Sequence, residues 1–296
     1  MIAEEIAQRT ARHVLLRRLS LDDGLQEAVP ALNVRIADVV VAVRSDDAPS
    51  LARIVRALRP FLVSRAAAPD ARLDLRVDRT PGIWADESPE PRATLADGVI
   101  NVEHRDFVGV LSVEGDHMVV VHPRHMLAVE NALRVLYALL LVRNGGVLLH
   151  AAGVVREPGA SVLFGRSGSG KTTVARMARG RALLGDDLVA LRRTHLGWVA
   201  CSTPFGGEHA RTRRNRAAGL SELLRLRHGD HFEARPMAAA RGVAALLQSV
   251  VLPASIGEDR RLALERCLEL QREVGVHELT FPLDNGLWRW LDGRRT

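Results

Sequence analysis

The chain has 296 residues, 47% hydrophobic and 26% charged, which is enough for a real core in one large domain or two modest ones. No run approaches 18 apolar residues, Glu4 and Glu5 stand where a signal peptide would be apolar, and Cys201 and Cys267 show neither metal nor disulfide spacing. A membrane span, a secretion signal and a disulfide scaffold are therefore not expected, and the cytoplasm is the expected compartment. The net charge is +6 and the pI about 10.6, but the arginines are mostly interspersed with acids, so a solvated arginine-rich surface is expected rather than a nucleic-acid binder.

Residues 2–20 read as an amphipathic helix through Ile2, Ile6, Val14, Leu15 and Leu19. Val34 to Val43 reads as one buried strand, and Asp46-Asp47-Ala48-Pro49-Ser50 as the capped start of a helix carrying Leu51, Ile54, Val55 and Leu58. Leu73, Leu75 and Val77 alternate with charges, the pattern of a half-exposed strand. Residues 79–98 read as a loop, and Val99–Val102, Phe107–Val113 and Met118–Val121 as strands. His104, His117, His122 and His125 are close in sequence but fall on different sides of strands and turns, so core or surface histidines are expected there. Residues 1–125 thus form a small α+β domain with no catalytic constellation.

Met126 to Asn144 is apolar around most of its circumference, as a buried helix is. Val147 to Val155 is a strand or strand pair with one polar residue, His150. Ala160–Phe164 is a short strand that runs into Gly165-Arg166-Ser167-Gly168-Ser169-Gly170-Lys171-Thr172, and Thr172–Arg179 is a helix with Gly180 as its stop. Strand, glycine loop and helix are the setting of the phosphate-binding loop G-x-x-x-x-G-K-[ST]. Glycines let backbone N–H groups converge on phosphate oxygens, Lys171 reaches the outer phosphates and the Thr172 hydroxyl binds Mg²⁺. The candidate nucleotide site is Gly165 to Thr172 with Thr173. Composition supports it. Of 41 lysines plus arginines, Lys171 is the sole lysine. A compact ammonium fits inside a closed ring of N–H groups, and a planar guanidinium fork does not.

Ala182–Asp187 reads as a strand ending in two carboxylates, Leu188–Leu191 as extended, and Trp198–Cys201 as its partner across the His195-Leu196-Gly197 turn. One helix and one return strand fit between Lys171 and Asp186-Asp187, which puts the pair beside the glycine loop. One carboxylate suits Mg²⁺ and the other suits proton acceptance from a hydroxyl, with the assignment left open. Residues 204–219 read as a Gly- and Arg-rich loop. Its Arg211, Arg213, Arg214 and Arg216 suit phosphates or an acidic acceptor, or are simply solvated. Residues 220–226 are ambiguous. Ala238–Val251, Asp259–Val274 and Leu287–Leu291 read as helices and Val276–Phe281 as a strand.

The run His150…Gly165-x-Ser167-Gly168-x-Gly170-Lys171-Thr172…Asp186-Asp187 resembles the HPr serine kinase/phosphorylase family. It is most similar to the short HPr-kinase-like proteins of bacterial gene clusters, including lasso peptide kinases, through Leu149–Val154, Gly165–Thr172, Asp186–Val189 and Thr203–Glu208. The resemblance spans roughly residues 127–291. It implies that His150, Asp186 and Asp187 are site residues and that Glu208 serves the metal or the acceptor. With Lys171 and Thr172 of the loop, the candidate catalytic set is His150, Lys171, Asp186 and Asp187 and the candidate metal set Thr172, Asp186, Asp187 and Glu208. Glu208, Arg211, Arg213 and Arg214 are candidates for holding the acceptor. The longer glycine-rich signature that full HPr kinases carry after the Asp-Asp pair is absent. Phosphoenolpyruvate carboxykinases share the implied fold, but this chain is too short for one and its sole lysine is already in the loop.

The expected architecture is therefore α/β: a P-loop kinase domain of the HPr kinase/PEP carboxykinase type with a mixed sheet at 126–296, preceded by the α+β domain at 1–125. The expected activity is Mg²⁺- and ATP-dependent phosphoryl transfer to a serine of a peptide or protein, the alternatives being an ATP-hydrolysing switch or assembly module and a kinase of free serine or another small molecule. The resemblance permits a homo-oligomer.

Overall fold

Two eight-stranded mixed sheets take up most of the apolar sequence. The computed structural model describes residues 2–80, 84, 91–178, 180–206, 214–253, 257–282, 284 and 286–294. The chain is mixed α/β and divides into two units, residues 1–140 with 252–257 and residues 141–251 with 258–296. Among the described residues no helix is long and apolar enough to cross a membrane.

The first unit contains α1 (Ile2–Arg18), β1 (Leu32–Ile36), β2 (Val39–Ser45), α2 (Ala48–Leu58), β3 (Leu62–Val63), β4 (Ala71–Val77), β5 (Arg92–Ala96), β6 (Val99–Glu103), β7 (Val108–Ser112), β8 (His117–His122) and most of α3 (Met126–Arg143). The strand order is β3-β1-β2-β4-β8-β7-β6-β5. Only β2, β4 and β8 run parallel. The Val34–Val43 run is not one strand. Ala37 (φ 49°) and Asp38 (φ 65°) turn it into a hairpin with Ile36 opposite Val39. A two-residue turn with both φ values positive matches strand twist, but Ala-Asp lacks the usual asparagine or glycine signal. β4 is not half-exposed, because it lies between two parallel neighbours and Leu73, Asp74 and Leu75 are fully buried. Nor is residues 79–98 all loop, since β5 adds an antiparallel edge at 92–96. Asp47 caps α2 through Ser50 N at 2.9 Å, and Ile54 and Leu58 turn inward. Tyr137 of α3 is fully buried and donates to Val34 O at 2.7 Å.

Each of the four histidines has local company. His104 meets Asp106, His117 Nε2 lies 3.0 Å from Asp74, His122 Nδ1 donates to Pro123 O at 2.6 Å, and His125 Nδ1 accepts from Leu127 N at 3.3 Å. Asp74 is the charged centre of this unit. Arg44 grips it through two N–H donors at 2.6 and 2.7 Å, and Leu25 N adds a third at 3.0 Å.

The second unit contains β9 (Gly146–Arg156), β10 (Gly159–Phe164), α4 (Lys171–Met177), β11 (Ala182–Gly185), β12 (Leu188–Thr194), β13 (Gly197–Ser202), β14 (Ala217–His228), β15 (Glu233–Pro236), α5 (Ala239–Leu247), α6 (Gly257–Glu273), β16 (Val276–Phe281) and α7 (Leu287–Gly293). The order is β10-β9-β12-β13-β14-β16-β15, with β11 on β9 and a further β10–β14 pairing. β10, β14 and β16 are parallel. The ambiguous 220–226 segment is the middle of β14, which begins at Ala217 inside the expected loop; β15 had no sequence signal. One sheet face packs Val147, Leu149, Val162 and Leu223 with Val243 and Leu246 of α5 and Cys267 and Leu270 of α6. The other packs Leu163, Leu224 and Leu279 with Val174 of α4 and Leu287 and Trp288 of α7.

Burial alone would raise the Asp74 carboxyl, but hydrogen bonds from His117 and Arg44, the Arg44 charge and the Leu25 N–H outweigh it and hold the group at about 2 against an ordinary 3.8. A carboxyl depressed on folding contributes stability above its unfolded value, and that stability is lost as pH falls towards the folded value, here about 2 kcal/mol between pH 4 and pH 2. A carboxyl-carbon NMR titration of Asp74 should show a midpoint near 2. An ordinary midpoint would mean that the Arg44–Asp74–His117 network does not form in solution.

Candidate active site

The site forms at the middle of β9, which lies between β12 on one edge and β10 on the other. Gly146–His150 pairs with β12, with His150 opposite Leu188. Ala151–Arg156 pairs with β10, with Ala151 opposite Phe164. At the junction His150 N donates to Ser249 O at 2.7 Å and Ala151 N donates to Asp187 O at 2.9 Å. Three segments therefore end side by side: the end of β10, which becomes the glycine loop, the middle of β9, and the Asp186-Asp187 turn between β11 and β12. The turn is tight. A Cβ on Gly185 would lie 2.4 Å from Leu188 O, which only glycine avoids.

These segments line a cleft of about 270 Å³ with Ser167, Gly168, Gly170, Lys171, Thr172 and Thr173, together with His150, Asp186 and Asp187. Gly165, Arg166 and Ser169 belong to the loop but not to the lining. Gly168 (φ 77°) and Gly170 (φ 96°) are left-handed, and Gly170 precedes the first residue of α4. Lys171 is buried and donates through Nζ to Gly165 O at 2.9 Å and Arg166 O at 3.1 Å, so two of its three N–H donors brace the loop. Burial pushes its ammonium below the ordinary lysine value, and the Asp187 charge acts in the opposite direction. The Ser169 hydroxyl is buried without a hydrogen-bond partner among the described residues.

The two aspartates differ. His150 Nδ1 lies 3.1 Å from Asp187 Oδ1, and the Asp187 side chain is 25% exposed. Asp186 as a residue is only 2% exposed, yet it lines the same cleft. Two carboxylates and the Thr172 hydroxyl make a donor set of hard oxygens beside an ammonium, and a magnesium polyphosphate fits that chemistry.

The Thr203-Pro204-Phe205 segment is built into the same corner. Thr203 and Phe205 are fully buried, and Thr203 Oγ1 donates to Leu188 O at 2.9 Å, one residue after Asp187. Glu208, Arg211 and Arg213 lie outside the described residues. Arg214 is exposed and absent from the cleft lining; its carbonyl accepts from Ser202 Oγ at 2.8 Å, as does that of Arg216 at 3.0 Å. Sequence reasoning missed His228. It ends β14 with Nε2 3.1 Å from Gly168 O, and no motif marks it. A larger cleft of about 830 Å³ lies between α5 and α6, but among the described residues it is lined by Ala239, Val243, Leu247 and Leu268 with Glu269 and Arg272 as its charged groups, so it offers little chemistry.

No family model matches the chain, and no curated protein matches it. Among solved structures it is similar to the Hpr(Ser) kinase/phosphatase from Coxiella burnetii, at 11% identity and a TM-score of 0.28, over 49% of this chain and 95% of that one. A likeness of that size does not place individual residues, and the site rests on its own geometry.

Gly185→Ala should destabilise the second unit by about 1–3 kcal/mol, because the new methyl meets a backbone oxygen that cannot move aside cheaply. Gly219→Ala, where nothing lies within 4 Å of an added Cβ, is the control. Thermal melting should separate the two. Equal melting temperatures would contradict the tight turn before Asp186.

Proposed function

We propose that the second unit is an ATP-dependent phosphotransferase that moves the γ-phosphoryl group to a serine hydroxyl of a peptide or protein. The observation that carries this reading is the meeting of the His150–Asp187 pair, at 3.1 Å, with Lys171 and the glycine loop in one cleft. The loop motif and its lysine suit polyphosphate, and a carboxylate oriented by a histidine suits proton acceptance from a hydroxyl. A nucleotide binder with no transfer chemistry has no need of that second feature.

In this reading the two aspartates divide the work, supported by their different exposure and by the His150 contact of Asp187. Asp187, partly open and held by His150, is the base. Asp186, the more buried of the pair, serves the metal with Thr172. Magnesium would supply charge neutralisation at the phosphates. Lys171 adds a fixed positive charge that needs no reorganisation during the reaction. In the transfer the acceptor oxygen bonds to the γ-phosphorus as the bond from that phosphorus to the β,γ-bridging oxygen breaks. ADP leaves with that electron pair, and the hydroxyl proton passes to an Asp187 carboxylate oxygen. His150 keeps that carboxylate pointed at the acceptor.

Removing the base should slow transfer by about 10²–10⁴-fold and spare nucleotide affinity. Asp187→Asn and His150→Ala should therefore bind Mg-ATP normally and turn over poorly, whereas Asp186→Asn should bind it weakly. Lys171→Arg should fail nearly as badly as Lys171→Ala, because the fork cannot reach both loop carbonyls from within the loop. Calorimetry with Mg-ATP and single-turnover transfer to serine peptides check each point. If the variants at His150, Asp186 and Asp187 all behave as wild type, the site is elsewhere. ATP hydrolysis with no phosphorylated acceptor would favour a nucleotide-driven switch, and transfer to free serine alone would favour a metabolite kinase.

A further inference from the structure

His228 is placed by strand register. β14 runs parallel to β10 with Arg225 opposite Phe164, so the last residues of β14 continue alongside the glycine loop after β10 has ended. Leu226 O lies 3.4 Å from where a Cβ on Gly165 would be, and His228 Nε2 lies 3.1 Å from Gly168 O. A carbonyl can only accept, so Nε2 carries the proton in this contact. The ring also lies against Phe281, its register partner on β16, with centroids 5.5 Å apart at 39°. Phe281 is fully buried and gives the imidazole a fixed backing.

A loop that holds an anion must turn N–H groups towards it and engage its carbonyl oxygens elsewhere, since a carbonyl facing the site repels phosphate. Most of that work is done within the loop. Lys171 Nζ takes Gly165 O and Arg166 O, and Ser169 N donates to Arg166 O at 3.1 Å. Gly168 O is engaged instead from a neighbouring strand. Gly168 has a left-handed backbone (φ 77°), and nothing lies within 4 Å of where its Cβ would be, so side-chain packing does not hold this peptide in place.

We propose that His228 is a positioning residue for polyphosphate. Its Nε2–H holds the Gly168 carbonyl towards β14, and this fixes the orientation of the loop segment that lines the cleft. His228 thus acts on nucleotide affinity and not on the transfer step. The proposal rests on the phosphotransferase reading above.

The test uses the full chain as wild type, His228→Ala, His228→Gln and Lys171→Ala, with Mg-ATP as the probe in calorimetry and in steady-state transfer. One net hydrogen bond at an exposed position corresponds to roughly 3- to 10-fold in affinity. His228→Ala should weaken Mg-ATP and raise KM by that factor, with kcat within about twofold of wild type and a melting temperature lowered by no more than a few degrees. His228→Gln, which keeps an N–H donor, should recover most of the affinity. If His228→Ala binds as wild type while Lys171→Ala loses binding, the positioning role is overturned and the phosphotransferase reading stands. A fall in kcat at constant KM, or a His228→Gln as weak as the alanine variant, also overturns it. Absence of Mg-ATP binding by the wild type overturns both.

Discussion

The site depends on one backbone hydrogen bond, from Ala151 N to Asp187 O. It extends the β9–β12 register one step past the His150–Leu188 pair, at the point where pairing with β10 begins on the opposite edge of β9. Because Leu188 is opposite His150 and Phe164 is opposite Ala151, the ladders on either side leave little freedom in where His150, Asp187 and the start of the glycine loop meet. A one-residue slip on β12 would turn its side chains to the opposite face. The apolar runs of β9, β10 and β12 guard against that slip, since Leu149, Val162 and Val189 share one cluster. The geometry of the candidate site is thus set by strand register, and the register is set by core packing.

Much of this was legible in the sequence because the relevant signals are local. The long apolar run of Met126–Asn144, the capping residues Asp47 to Ser50 and the strand–glycine–lysine run each carry their own physics in contiguous sequence. What was not legible depends on partners. Nothing local in Leu73-Asp74-Leu75 says that the aspartate will be buried with them, because that requires Arg44 from β2 and His117 from β8. The Ala37-Asp38 turn was hidden by residues that seldom adopt positive φ. β5 and β15 are edge strands, short and stripped of a repeating apolar face, and so look like loop. His228 lay in a segment with no clear period, and its placement beside Gly168 comes from the stagger between β10 and β14.

The arginine bias leaves its mark on the interior as well as the surface. Arg44 with Asp74 and Arg143 with Asp259 are two-pronged pairs whose carboxylates are buried. Arg156 meets Glu222, which also accepts from Ser161 Oγ at 2.6 Å and from Arg294 Nη2 at 3.1 Å. Taking such charges out of water is costly, and it is recovered only where several donors saturate the carboxylate, as here. A guanidinium does this well because its donors are rigidly spread in a plane.

The same geometry explains why position 171 differs. There the cation meets Gly165 O and Arg166 O, two carbonyls of successive residues in a tight loop, and still lines the cleft. Those acceptors belong to a curved backbone, whereas a guanidinium presents its donors in one flat plane. An ammonium places three donors around a single atom and can satisfy them from inside the curve. Its partial burial is tolerable because the loop carbonyls solvate it and the Asp187 charge opposes its deprotonation. A chain that uses arginine at 40 of its 41 basic positions, and lysine only where the acceptors surround a point, carries in its composition the shape of the site it builds.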